Sequence, residues 1–227
     1  MSLSIPSALS PAIASVLISA RPSLRLIGLA GLPASRELQA FLSALATVPA
    51  DASTACADWT AHDLVAHMAA GSEEMTRLIN VRLASGPNAD VGPTRSFEER
   101  ETPFRAMEDR ALRRSFVVHG LALADAILRL QALGPSATVT FTGWDMTAAE
   151  LIRHGESELT LHRWDLVGSD PTSLAALSRP DLVEHARKVL DRMNIFGGAT
   201  EQERNDTRPR SLLEVWGRDP DRQFQPY

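Results

Sequence analysis

Cysteine is almost missing from this 227-residue chain. Cys56 stands alone, which excludes an intramolecular disulfide framework and fits a reducing compartment, so a cytoplasmic location is expected. No stretch approaches the roughly 18 consecutive apolar residues that a membrane span needs, and no membrane association is expected. A secretory leader is not expected either. The first twenty residues carry no charge and Ala12 to Ala20 is apolar, but a leader's basic segment is absent and Pro6 and Pro11 interrupt the stretch. Basic clusters are lacking too. With a formal net charge of −5, a pI near 5.7 and 23 Lys and Arg scattered along the chain, there is no positive field for a phosphate backbone, which argues against a nucleic-acid partner. Repeats and low-complexity segments are absent.

What is present is enough apolar material for one core: 44% of residues are hydrophobic, and no shift in composition divides the chain. A single domain over residues 1–227 is expected, with a bundle core at about 35–170 and a C-terminal helix and tail at 171–227. Helices are marked by their ends. Ser10-Pro11 opens a short one that Arg21-Pro22 closes, and Ser35 opens another through about Val48. Thr60 with Asp63 forms a capping box, and Leu64, Met68, Met75, Leu78 and Ile79 carry a long helix to Gly86-Pro87. The Gly- and Pro-rich residues 86–102 read as a long connection, and Thr102-Pro103 starts a third bundle helix that ends at Gly134-Pro135. Ala137 to Phe141 alternates like a short strand. Thr147 with Glu150 is a second capping box, opening a helix to Gly168. A fifth helix is expected from Ser178 to Ile195, stopped by Gly197-Gly198, and the polar remainder reads as a loosely attached tail that a partner could stabilise.

Acid/His pairs four residues apart recur in this sequence: Asp58/His62, Asp63/His67, Glu150/His154, His154/Glu158, Glu158/His162 and Asp181/His185. Most such pairs are solvated ion pairs, so spacing alone decides nothing. The helix face does. His67 shares a stripe with Leu64, Gly71, Met75 and Leu78, and Glu158 and His162 share one with Leu151, Gly155 and Leu166. A carboxylate on an apolar face needs a cation or donors, because its burial otherwise costs several kcal/mol or neutralises it. Gly71 and Gly155 each leave room one turn away. His154, Glu158 and His162 cannot all reach one ion, since positions eight apart are separated by about 12 Å along a helix. Two ligands from one helix and one from another can. His67 lies about 10 Å from the start of its helix, and Glu158 and His162 are centred about 12 Å from the end of theirs, so the levels match if the two helices run antiparallel. That requires one crossover, for which residues 86–102 are long enough.

A divalent-metal site built from His67, Glu158 and His162 is the expectation; the competing reading is a Glu158/His162 pair beside a hydrogen-bonded core histidine. His62, His119, His154 and His185 read as surface or structural residues, and Trp59, Trp144 and Trp164 as core or cap anchors. Cys56 reads as a loop thiol with no identifiable histidine partner. Asp63 and Asp165 are expected to support neighbouring groups rather than bind an ion. No catalytic residue is assigned.

Two segments, CADWTAHDLVAHMAAGSEEM from Cys56 to Met75 and ESELTLHRWDLVG from Glu156 to Gly168, resemble the mycothiol-dependent maleylpyruvate isomerase family. The resemblance covers about residues 35–170; the ending LLEVWGRD is similar more weakly. It implies a mainly α fold, a DinB-like four-helix bundle with one long crossover, to which the short strand, C-terminal helix and tail are added. It also implies that His67, Glu158 and His162 hold a divalent ion, zinc by family habit, and that mycothiol serves as thiol cosubstrate in isomerisation or S-transfer on a small electrophile. The isomerase also draws on an arginine in a larger C-terminal domain. Only residues 171–227 follow the bundle here, and although Arg218 stands among them, that role is not carried to it. A small-molecule substrate and a thiol are thus the expected partners, and a homodimer is compatible. The alternatives are a metal-dependent hydrolase on the same scaffold, with the ion activating water, and a non-catalytic helical bundle acting in ligand binding or dimerisation.

Overall fold

A computed structural model describes residues 35–86, 91–192 and 208–222. The helix expected at Ser10 to Arg21 and the Gly197-Gly198 stop lie outside these residues. Helix α1, Arg36–Leu45, starts where Ser35 accepts a hydrogen bond from Leu38 N–H, and breaks into a turn before Val48. Helix α2, Ala61–Ser85, has the predicted capping box at Thr60 and Asp63. Its apolar stripe is interior: Leu64 and Leu78 are fully buried.

The third helix begins later than the sequence suggests. Ser96 and Glu99 form a capping box for a separate short helix, α3 (Phe97–Arg105), with Pro103 inside it. The long helix α4, Asp109–Gln131, then starts at a Glu108 cap. Thr102-Pro103 misled because proline usually marks a first turn, whereas here it falls near the end of a short helix and removes one internal bond. The segment between α2 and α4 is accordingly part helix rather than a plain connection.

The predicted strand is half of a hairpin. β1 (Thr138–Phe141) pairs antiparallel with β2 (Trp144–Thr147), Phe141 opposite Trp144, around a two-residue turn in which Thr142 and Gly143 both have positive φ, 50° and 78°. Two such residues in succession match the right-handed twist of a hairpin. Helix α5, Ala148–Val167, follows directly from the predicted Thr147/Glu150 capping box. Three shorter helices complete the described chain: α6 (Pro171–Leu177), capped by Asp170, α7 (Pro180–Arg192) and α8 (Pro209–Val215).

Directions follow from which ends share a core. Ala61 to Ala70 of α2 cluster with Leu112 and Phe116 of α4, Phe41 of α1 and Leu166 of α5. Met75 to Ile79 cluster with Ala126 to Leu130, the hairpin, and Ala148 and Leu151. Helices α2 and α4 therefore run parallel, α5 runs antiparallel to both, and the 86–108 segment is the crossover the site required. Bundle packing is mainly α2 on α4 and α1 on α5. The third core joins Leu161 and Trp164 of α5 to Leu177, Leu190, Leu212 and Leu213. Leu212 and Leu213 of α8 thus pack against α5, α6 and α7, so this part of the tail is not loosely attached as its polar composition suggests.

Candidate metal centre

The antiparallel arrangement brings His67, two turns into α2, level with Glu158 and His162 near the end of α5. One donor atom from each of the three lies within 4.8 Å of the others. Oε2 of Glu158 is 3.9 Å from His67 Nε2 and 3.4 Å from His162 Nε2. Ligand atoms arranged tetrahedrally about one zinc stand about 3.3 Å apart, so small side-chain movements would suffice to close on an ion.

The opposite edges of both imidazoles are already taken. His67 Nδ1 lies 2.7 Å from Glu101 Oε1, and His162 Nδ1 lies 2.8 Å from Asp165 Oδ2. When Nδ1–H donates to a carboxylate, Nε2 is the unprotonated nitrogen, and its lone pair points at Glu158. Three acceptors facing one another need something cationic between them. The residues present fit a divalent ion with His, His and carboxylate ligands and an open position toward the cavity. Without an ion a proton can serve, and the site's charges show it. Burial opposes ionisation of Glu158, yet hydrogen bonds from His162 and His67 hold its pKa well below the usual carboxylate range. Burial also disfavours charge on His162, but Asp165, Cys56 and Glu158 together raise its pKa well above the ordinary histidine value.

Each group is placed by local structure. Asp63 stays in its capping box, and Asp165 supports His162 from one turn away, both as expected. Asp165 is fully buried; burial would raise its pKa, but His162 and the Arg218 guanidinium bring it down to about 2. Arg218 arrives there through the end of α8. Gly217, at φ 72°, lets Gly217 N–H bond to Glu214 O and Arg218 N–H to Leu213 O, a Schellman close that turns the next side chain inward. Its Nε and Nη2 then bond the two oxygens of Asp165 at 3.0 and 2.9 Å. Arg218 thus braces the carboxylate that orients His162, which the sequence did not indicate.

Cys56 is also corrected. Its Sγ lies 3.2 Å from Asp165 Oδ2 and 3.3 Å from Arg218 Nη2, and within 4.8 Å of a His162 ring nitrogen. The 46–60 loop that carries it is tied to α5 by Ala55 N–H on Asp165 O, 2.9 Å. Cys56, His162 and Asp165 form a second group with metal-like spacing. The Arg218 guanidinium already sits against both its thiol and its carboxylate, so a second cation there would face a fixed positive charge.

Sequence reasoning missed Glu101. It is 2% exposed, and its only signal was an acidic residue in the charged run Glu98 to Arg105, which reads as a solvated face. The other histidines make contacts within the fold, His119 against the Phe104 ring. His62 links α2 to Arg105 O and Asp109, and His154 and His185 pair at 3.2 Å beneath Phe141 and Trp144. Burial lowers both pKa values, that of His185 to about 4 with help from His154. Trp164 is fully buried, as an anchor should be, while Trp59 packs its ring 5.1 Å from that of His67.

The metal-like cluster opens into a cavity of about 1950 Å³ that also includes Phe97, Arg100, Phe141, Gly71 and Gly155 in its lining. A Cβ on Gly71 or Gly155 would meet nothing within 4 Å, so these glycines do leave space beside the cluster. Among the described residues no helix is long and apolar enough to cross a membrane.

No curated protein and no solved structure matches the chain. A family model, the mycothiol maleylpyruvate isomerase N-terminal domain, matches residues 32–167. That span is more than half of the sequence and takes in α1 to α5 with Cys56, His67, Glu101, Glu158, His162 and Asp165, while Arg218 lies beyond it. This chain belongs to the mycothiol maleylpyruvate isomerase N-terminal domain family.

Proposed function

We propose that this protein is a metal-dependent enzyme that uses mycothiol, or a thiol like it, for S-transfer to or isomerisation of a small electrophile. His67, Glu158 and His162 hold the ion, with zinc the best match to two imidazoles and one carboxylate. The observation that carries the reading is that both Nε2 atoms and Oε2 of Glu158 converge while each Nδ1 is held by a buried carboxylate. An ion in this place supplies a lowered thiol pKa, and hence a thiolate near neutral pH.

The chain's own groups do the rest. Glu101 and Asp165 fix ring orientation and raise the basicity of Nε2. Glu158 balances charge in an apolar setting. Trp59 and Phe97 pack their rings on His67 and help to fix its orientation. The cavity exceeds the few hundred Å³ of a common ligand site, which suits a thiol and its acceptor together.

The test is turnover of an electrophile panel by the zinc-loaded protein with and without mycothiol. Product formation that needs both zinc and thiol is expected. Zinc-dependent hydrolysis indifferent to thiol would replace this reading with the hydrolase, and zinc-independent inertness across the panel would favour a binding bundle.

A further inference from the structure

Arg100, on α3, is 5% exposed, and its Nε and Nη1 have no hydrogen-bond partner among the described residues. A buried cation without acceptors is costly, because the donors lose water and receive nothing in return. Other arginines of this fold are satisfied: Arg77 and Arg95 share Glu74, Arg163 bonds Asp170, and Arg218 bonds Asp165. Arg100 has only aromatic faces. Its Cζ lies 4.3 Å from the Phe97 ring centre and 6.0 Å from that of Phe141, contacts that hold a planar cation but supply no acceptor. Glu101, Glu74 and Glu158 attract it at longer range, yet Glu101 is committed to His67 and Arg105, Glu74 to its own two arginines, and Glu158 to the two imidazoles.

The side chain lines the same cavity as His67, Glu158 and His162. We infer that Arg100 anchors a carboxylate of the small substrate that occupies this cavity beside the metal-like cluster. The inference rests on the proposed function for the word substrate, and it adds that substrate's chemical class and the residue that selects it. A carboxylate fits better than a phosphate. The planar guanidinium pairs the two oxygens of a carboxylate side by side, whereas a phosphate gathers its oxygens and up to two negative charges tetrahedrally on one group beside Glu158. The carboxylate end would be held at Arg100, leaving the electrophilic end free to face the open position at His67 and His162.

The experiment is calorimetric titration of the full chain, zinc-loaded and chelator-treated, with succinate, with its neutral analogue succinamide, and with inorganic phosphate. Wild type is expected to bind succinate at least tenfold more tightly than succinamide, and more tightly than phosphate, in both metal states. Arg100→Met should remove that preference while keeping helical circular dichroism and zinc affinity, and Arg100→Lys should keep part of it. Equal binding of succinate and succinamide by wild type overturns the inference without any variant. So does succinate binding by folded Arg100→Met that matches wild type, or tighter binding of phosphate. Failure of zinc to bind would sink the metal reading instead, and the chelator-treated arm still reports on Arg100 by itself.

Discussion

His67 Nδ1 and Glu101 Oε1, 34 residues apart in sequence, meet at 2.7 Å and join the second turn of α2 to the crossover helix α3. Glu101 is almost fully buried, and burial opposes its charge, but His67 and Arg105 hold its pKa below the usual carboxylate value. The pair fixes the His67 ring. Glu101→Gln should leave the fold intact and weaken zinc binding by about 10- to 100-fold, the range seen when such supporting partners are lost. Competition titration with a chelating dye measures it; unchanged affinity would mean that Glu101 serves packing only.

Arg218 makes the corresponding prediction for the other imidazole. Arg218→Ala leaves Asp165 fully buried with one partner fewer, and a broken buried pair costs about 3 kcal/mol. Stability should fall by about that amount in denaturant titration, and zinc affinity should fall with it because His162 loses its brace. Loss of stability with zinc affinity untouched would separate Arg218 from the site.

A pH prediction comes from Glu74, which has no solvent exposure and takes hydrogen bonds from Arg77 and from the backbone and side chain of Arg95. Burial would raise its pKa, but these bonds bring it down to about 2 from 4.5. A depressed folded-state pKa contributes stability that is fully present above the unfolded value and is lost as pH falls through the folded one. Between about pH 4.5 and 2 the wild type should therefore lose stability more steeply than Glu74→Gln, whose curve lacks this contribution. Parallel acid unfolding curves would contradict it.

Much of this was legible beforehand. Thr60/Asp63 and Thr147/Glu150 marked both site helices to the residue, because a capping box needs only local sequence. Levels measured along the two helices matched His67 to Glu158 and His162, since helix rise is fixed. Glu101, Cys56 and Arg218 were not legible, for a common reason: each reaches the site from a loop, a crossover or a helix end, where no periodicity ties position to orientation. α3 was missed because the helix that Ser96/Glu99 caps buries Arg100 and Glu101 beside Phe104 instead of an apolar stripe, and β2 because only two alternating apolar residues, Trp144 and Met146, follow Thr142-Gly143.

Gly155 tests whether the space beside the cluster matters. A Cβ there meets nothing within 4 Å, so Gly155→Ala should stabilise α5 by up to about 1 kcal/mol. Gly155→Leu should keep the fold and zinc binding but reduce ligand binding in the cavity it partly fills. Equal ligand affinity in both variants would show that ligands sit elsewhere.

Thermal melts with chelator and with zinc, run on wild type, His162→Ala and Glu158→Gln, test the metal reading most directly. Preferential binding of zinc to the folded state should raise the wild-type melting temperature, and His162→Ala should lose most of that increment while keeping its helical content. Glu158→Gln should bind zinc more weakly and also be less stable than wild type in chelator at neutral pH, because the carboxylate that the two imidazoles hold ionised in the fold has been removed. If all three proteins respond to zinc alike, His67, Glu158 and His162 do not hold a metal and the cluster is a structural ion pair.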